Sequence, residues 1–232
     1  MKNVQITLSN DVAKDFPNVI HCDLLSEYAK RLLMTFDEVT NIHVTSAFPV
    51  GPSWFLTVVS TIVHQGKRVP GYAFLRGNSV SITPLIFAKD NQAKPLTILV
   101  REPRSPVGAI VIGSPAGMIK PGNEDSAPEA LRALFEETGG HMPKGELLPL
   151  RKGVQVSPGG TDELMDFYVY KVVVSTEDYN RIVELTGTKT GVEGEDEDIT
   201  LSVMPFSDAV AVDNLDMKTL LAFSLIRLGH MV

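Results

Sequence analysis

Three observations predict a mixed α/β fold, an α/β/α sandwich with a mixed sheet and an N-terminal extension. From Trp54 to Gly113, short runs of β-branched and aromatic residues follow one another, separated by turn residues. Helical segments precede, interrupt and follow the strands, so that strands are enclosed by helices. At 232 residues and 44% hydrophobic content the chain can bury a substantial core, and nothing in it demands more than one catalytic domain. The expected division is residues 1–50 as the extension and 51–232 as the main domain. No internal repeat, heptad series or low-complexity tract competes with this organisation.

The elements follow from the N-terminus. Val4 to Leu8 predicts a short strand. A helix is expected from about Leu24 to Phe36, with Leu24, Leu25, Tyr28, Leu32 and Met34 as its apolar stripe and Asp23 as its cap. FLTVVSTIV, PGYAFL, SVSITPLIF, LTILV and AIVIG then read as strands, the first ending in a turn at Gln65-Gly66. Next comes PAGMIKPGNEDSAPEALRALFEETGG, from Pro115 to Gly140. Ser126 and Glu129 have the spacing of a capping box, Pro128 suits a first helical turn and Gly139 stops the helix. On that helix Glu129, Arg132, Ala133, Glu136 and Glu137 share one face, while Ala130, Leu131, Leu134 and Thr138 point the other way. Beyond it come the strand FYVYKVVV and a helix from about Thr176 to Leu185, with Ser175 as cap and Gly187 as stop. The strand ITLSVMP and a C-terminal helix from about Leu215 to Leu228 complete the chain, with Leu220, Leu221, Ile226 and Leu228 expected in the core.

Composition narrows the function. The net charge of −7 and the absence of a basic cluster argue against duplex nucleic acid or an anionic membrane surface as partner. The single cysteine, Cys22, permits no internal disulfide, and the five dispersed histidines form no HExxH pair. The N-terminal sequence lacks the continuous apolar core of a signal peptide, and no run approaches the ~18 apolar residues of a membrane helix. A cytoplasmic enzyme is the expectation.

The segment from Pro115 to Gly140 carries the chemistry. Magnesium is a hard cation that prefers oxygen ligands, keeps several waters, and is commonly held by one or two carboxylates plus substrate phosphates. Paired glutamates near a helix end are by themselves an ordinary solvated face; the glycine loop and arginine around Glu136 and Glu137 make a metal and pyrophosphate site the better reading.

These residues resemble the Nudix box, G-x5-E-x7-R-E-U-x-E-E-x-G-U with U apolar. Gly117, Glu124, Arg132, Leu134, Glu136, Glu137 and Gly139 match. Three departures accompany them: one extra residue lies between Gly117 and Glu124, Gly140 replaces the last apolar residue, and Ala133 stands where the family has its first helix glutamate. VPGYAFLRG, REPRSPVGAIVIGSPAGM, SPGGTDE and GTKTGVEGEDEDITLSVMP, in that order, further resemble the ADP-sugar and ADP-ribose diphosphatase branch, over roughly residues 50 to 232. A glutamate that the family usually places before its Pro-Ala-Gly turn is missing, with Gly113 and Ser114 there instead.

The resemblance implies a Nudix-type sandwich and hydrolysis of a nucleotide-sugar diphosphate with Mg or Mn as cofactor. The metal ligands would be the Ala116 carbonyl with Glu136 and Glu137. Arg104, Gly159, Gly160 and Glu163 would contact substrate, Glu163 also acting near the reacting diphosphate. Glu197 would activate or orient the attacking water. Arg76 reads as a structural residue. A homodimer is implied, with the N-terminal region as a dimerisation element. The acidic run at Glu193, Glu195, Asp196, Glu197 and Asp198 either replaces the missing charge or is a solvated loop. The missing glutamates keep a second reading open, a Nudix-fold protein that binds a nucleotide-sugar in a regulatory role and hydrolyses it poorly.

Overall fold

The computed structural model describes residues 4–51, 53–120, 122–123, 125–191 and 198–229. The chain divides into two compact units, one from Met1–Asn78, Ile119–Glu124 and Gln155–Leu164, the other from Ser79–Met118, Asp125–Val154 and Met165–Val232.

In the first unit β1 (Gln5–Leu8) runs parallel to β2 (Glu38–Val50), and β2 pairs antiparallel with β3 (Ser53–His64). The strands β4 (Lys67–Val69) and β5 (Tyr72–Leu75) both pair with β3. The expected turn at Gln65-Gly66 joins β3 to β4 with φ of 49° and 73°, the left-handed pair that matches hairpin twist. The helices α1 (Asn10–Asp15) and α2 (Asp23–Thr35) share one apolar cluster with the sheet, joining Leu24, Leu25, Tyr28, Ala29 and Leu32 to Ile42, Val44, Leu56 and Val58. Burying these side chains at ~25 cal/mol per Å² is the main force holding the unit together.

Four details differ from expectation here. Cys22, not Asp23, occupies the N-cap position, and it makes no side-chain cap bond. Asp23 is the first helical residue, where its carboxylate meets the positive end of the helix. Met34 leaves the apolar stripe and is 87% exposed, Ala29 filling the inner face instead. FLTVVSTIV and PGYAFL join the sheet of this unit together with the unforeseen β2. The pattern of β2 was obscured by bulges between Val39 and Asn41 and between Val44 and Ser46: each shifts the parity of inward-facing residues, so Val39, Ile42 and Val44 do not alternate as a regular strand would.

The second unit contains β6 (Ser79–Ala88), β7 (Asn91–Arg104), β8 (Ala109–Gly113), β9 (Ala116–Met118), α3 (Ala127–Glu137), β10 (Glu146–Gln155) and β11 (Leu164–Val174). It continues with α4 (Thr176–Val183), β12 (Lys189–Thr190), β13 (Ile199–Pro205), α5 (Phe206–Ala209) and α6 (Met217–Arg227). The sheet order is β10-β11-β6-β7-β13-β12, with β8 on β7 and β9 on β6. It is mixed, since β11 and β6 run parallel while β6, β7 and β13 are antiparallel neighbours. Helices α3, α4 and α6 all touch β6, and β6 is buried along almost its whole length. The expected mixed α/β class therefore holds, with two sheets.

Ser175 caps α4 as expected, its hydroxyl accepting from Asp178 N–H at 3.1 Å. In α6 the buried positions are Thr219, Ala222, Phe223 and Ile226; Leu220 and Leu228 are exposed at 41% and 74%. The inward face is thus offset from the expected leucine stripe, because Phe223 supplies the bulk and packs edge-on against Phe206. The strand β10 went unforeseen because it ends the sheet order, carries Pro149, and bends at Gly153 with φ of 66°.

Candidate functional site

The helix proposed to carry the metal ligands is α3, and its start differs from a capping box. Ser126 has helical torsions and makes no cap bond. Its hydroxyl instead donates to Asp166 Oδ2 at 2.5 Å and lies 2.7 Å from the Tyr168 hydroxyl. The Asp125 carboxylate takes the first-turn N–H of Ala127 at 3.1 Å. Glu129, freed from the expected reach back, is buried and accepts from Arg132 Nε at 2.8 Å. The same guanidinium bonds Glu136 through Nη1. The hydrogen bond that Arg132 donates to Glu129, with further help from Glu136, raises the Arg132 pKa above its ordinary value. Arg132 therefore clamps two carboxylates of α3 and remains a cation.

The middle of α3 packs against β9. A Cβ placed on Gly117 would sit 2.8 Å from the Ala133 Cβ, so only glycine permits this approach. Ala133 is accordingly buried, and it does not stand on an open polar face as its spacing predicted. One turn further on, Glu137 Oε2 accepts from the Ala116 N–H at 3.1 Å. Two of the three expected metal-ligand positions are thus adjacent. The Glu137 carbonyl accepts from the Thr190 hydroxyl at 2.6 Å, which ties the helix end to β12. At the other position lacking a glutamate, Ser114 is buried and donates its N–H to Thr219 Oγ1 at 2.7 Å, while a Cβ on Gly113 would meet that oxygen at 3.3 Å. The start of α6 occupies that neighbourhood.

In the first unit the SPGGTDE loop forms a compact turn. Gly160 and Thr161 both donate N–H to the Ser157 carbonyl, and the Gly160 carbonyl accepts from Phe74 N–H at 2.8 Å. Gly159 has open space around its α-carbon. Asp162, its side chain 2% exposed, accepts from Arg31 Nη2 at 3.0 Å and from the backbone N–H groups of Arg76 and Gly77 at 2.8 and 3.2 Å. Glu163 is buried and faces Arg76 Nη1 at 3.7 Å. A cavity of about 180 Å³ in this unit is lined by Arg76, Lys120, Asn78, Asn123, Ser53 and Glu27, among others. Asp162 and Arg31 were not foreseen as site residues: the acidic pair in TDE was a visible signal for the first, whereas the second lies 131 residues away in sequence.

Of the remaining expected residues, Arg104 ends β7, half exposed, with its guanidinium on Glu102. Glu197 and Glu124 lie outside the described residues. Asp198, next to Glu197, pairs with Lys189 at 2.9 Å. Among the described residues no three or more carboxylate, imidazole or thiol groups gather into a metal cluster. Carboxylate and carbonyl oxygens are the donors a hard cation takes; here Glu137 Oε2 lies against the Ala116 N–H and the Glu136 carboxylate is paired with Arg132. Among the described residues no helix is long and apolar enough to cross a membrane.

Comparisons with known proteins bear on this arrangement. No protein-family model matches the chain. Nudix hydrolase 14, chloroplastic, of Arabidopsis thaliana is 29% identical over 173 residues, covering 71% of this chain and 54% of that protein. The chain thus spans about half the length of this relative. A solved structure described as an ADP compounds hydrolase superposes with a TM-score of 0.55 at 19% identity, over 84% of this chain and 95% of the other. The sequence relative bears out the resemblance to Nudix hydrolases, and the solved structure shares the overall fold of this chain.

Proposed function

We propose that this Nudix-fold chain hydrolyses the diphosphate of a nucleotide-sugar of the ADP-glucose or ADP-ribose type, releasing nucleoside monophosphate and sugar phosphate. The observation that carries the reading is the Gly117–Ala133 contact, which sets the Glu137 carboxylate against the backbone of Ala116 on the helix where the resemblance puts the metal ligands. The Nudix relative and the ADP-compound hydrolase fold support it. In the reaction a water oxygen bonds to phosphorus as a P–O bond of the diphosphate bridge breaks, and the bridging oxygen leaves with the other phosphate.

Glu136, Glu137 and the Ala116 carbonyl would hold Mg or Mn. When bound, such a cation withdraws charge from the diphosphate oxygens. Glu197 takes the proton of the attacking water or orients it. Glu163 with the Gly159-Gly160 turn, and Arg104 through its charge, orient substrate. Arg132 holds Glu136 in place through its ion pair. The proposal extends to a cytoplasmic homodimer, with 1–50 as the dimerisation element and 51–232 as the hydrolase domain.

A second reading draws on Ala133, whose burial leaves α3 one carboxylate short: a protein that binds nucleotide-sugar in a regulatory role and turns it over poorly. Incubation with ADP-glucose, ADP-ribose and UDP-glucose, with and without Mg or Mn, separates the two. Metal-dependent release of nucleoside monophosphate supports the hydrolase; binding without release supports the regulatory role.

A further inference from the structure

We propose that Asp166 and Tyr168 are positioning residues: acting through Ser126, they set the rotation of α3 and so the placement of the Glu136 and Glu137 carboxylates. The consequence for turnover rests on the hydrolase reading above; the consequence for cation binding rests only on the carboxylates themselves.

The hydrogen-bond directions are determined. A serine hydroxyl has one proton, and an ionised carboxylate only accepts. Ser126 therefore gives its proton to Asp166 at 2.5 Å, and Tyr168 must donate its own to Ser126 Oγ at 2.7 Å. The second oxygen of Asp166 accepts from Gly153 N–H at 2.8 Å, at the bend of β10. Lys152 sits over the Tyr168 ring, its ammonium 5.7 Å from the centroid. The chain Tyr168 to Ser126 to Asp166 thus has every proton placed, and Ser126 and Tyr168 are 2% and 3% exposed. In so dry a place such bonds strengthen one another, and losing one leaves a buried group unpaired.

The location gives the network its effect. It grips the residue before an eleven-residue helix whose far end carries Glu136 and Glu137. Other holds on α3 include its buried Ala130 and Leu134, the Gly117–Ala133 contact in the middle, the Phe135 ring edge-on to Tyr170, and the Ala116 and Thr190 bonds to Glu137 at the end, so the network adds the tie at the start of the helix. A capping box would satisfy the first turn without tying the helix to the sheet; here the serine gives up capping to bind two side chains of β11.

The test compares Tyr168→Phe, Asp166→Asn and Ser126→Ala with Ser126→Thr, which keeps the hydroxyl, and with Glu137→Gln as control. The readouts are Mn²⁺ binding without substrate, by calorimetry or electron paramagnetic resonance, and the split between kcat and KM. The expectation is that Tyr168→Phe and Asp166→Asn weaken Mn²⁺ binding by about fivefold, the equivalent of one buried hydrogen bond, and lower kcat with little change in KM. Ser126→Thr should stay within about twofold of wild type. Wild-type Mn²⁺ affinity in folded Tyr168→Phe and Asp166→Asn, alongside a lowered melting point, would overturn the proposal and leave a stability tie. Should Ser126→Ala fail to fold, the tyrosine variant still decides, since it removes one hydroxyl and keeps the ring. If Glu137→Gln binds Mn²⁺ like wild type, the metal assignment fails instead, which separates the two ideas.

Discussion

Substituting Gly117 by alanine probes the contact on which the candidate site depends. The added Cβ would lie 2.8 Å from the Ala133 Cβ, whereas carbon atoms prefer roughly 3.5–4.0 Å. Neither atom is the far end of a flexible side chain, so β9 and α3 must separate by about 1 Å. Overpacking of this kind costs ~1–3 kcal/mol. The same separation would carry the bond between Ala116 N–H and Glu137, now 3.1 Å, past hydrogen-bonding distance. At ~2–4 °C per kcal/mol for a domain of this size, Gly117→Ala should lower the melting temperature by about 2–12 °C, and it should weaken Mn²⁺ binding as well. Thermal denaturation followed by circular dichroism and calorimetric Mn²⁺ titration measure both. Adding Ala133→Gly removes the opposing methyl group, so the double variant should recover much of the loss, less ~1 kcal/mol for a glycine inside a helix. Wild-type stability in Gly117→Ala, or strict additivity in the double variant, would refute the packing reasoning.

Three further outcomes follow from the same geometry. Ala133→Glu places a carboxylate at a position only 3% exposed, so the structure predicts a lower melting temperature and no gain in Mn²⁺ affinity; tighter binding with faster turnover would instead mark α3 as a degenerate metal helix awaiting its ligand. Asp162→Ala removes the acceptor of two backbone N–H groups and of Arg31, and urea denaturation should show a loss of about 2–5 kcal/mol, whereas a loss below ~1 kcal/mol would mean that water replaces the carboxylate. Burial, with a smaller contribution from the Asp23 charge, pushes the Cys22 thiol pKa up, so less thiolate is present near neutral pH and alkylation should be slow in the native protein and fast in denaturant; equal rates would contradict the burial.

The elements that carry the candidate site were readable in the sequence where they depend on neighbours along the chain, and less so where side chains are claimed by distant residues. The helix α3 and the SPGG turn were legible in the sequence, whereas PAGM, expected as a turn, forms the short strand β9. The helix start deceived, because Ser126 and Glu129 have capping-box spacing while Asp166, reached through the fold, and Arg132, one turn along the same helix, take their side chains. Helical periodicity put Ala133 on the polar face; the absence of a side chain on Gly117 turned that position into a packing contact. Arg31 could not be linked to Asp162 by any local pattern. In the fold, β6 and β11 announced themselves by long apolar runs, whereas the bulges of β2 disguised a strand of thirteen residues.

The most direct measurement is nucleoside monophosphate release from ADP-ribose and ADP-glucose in the presence of Mg²⁺, for wild type and Glu137→Gln side by side. The hydrolase reading predicts metal-dependent release by wild type and a loss of orders of magnitude in the variant, with its fold retained. Release unaffected by the substitution, or none from wild type under conditions where the nucleotide-sugar binds, would contradict it.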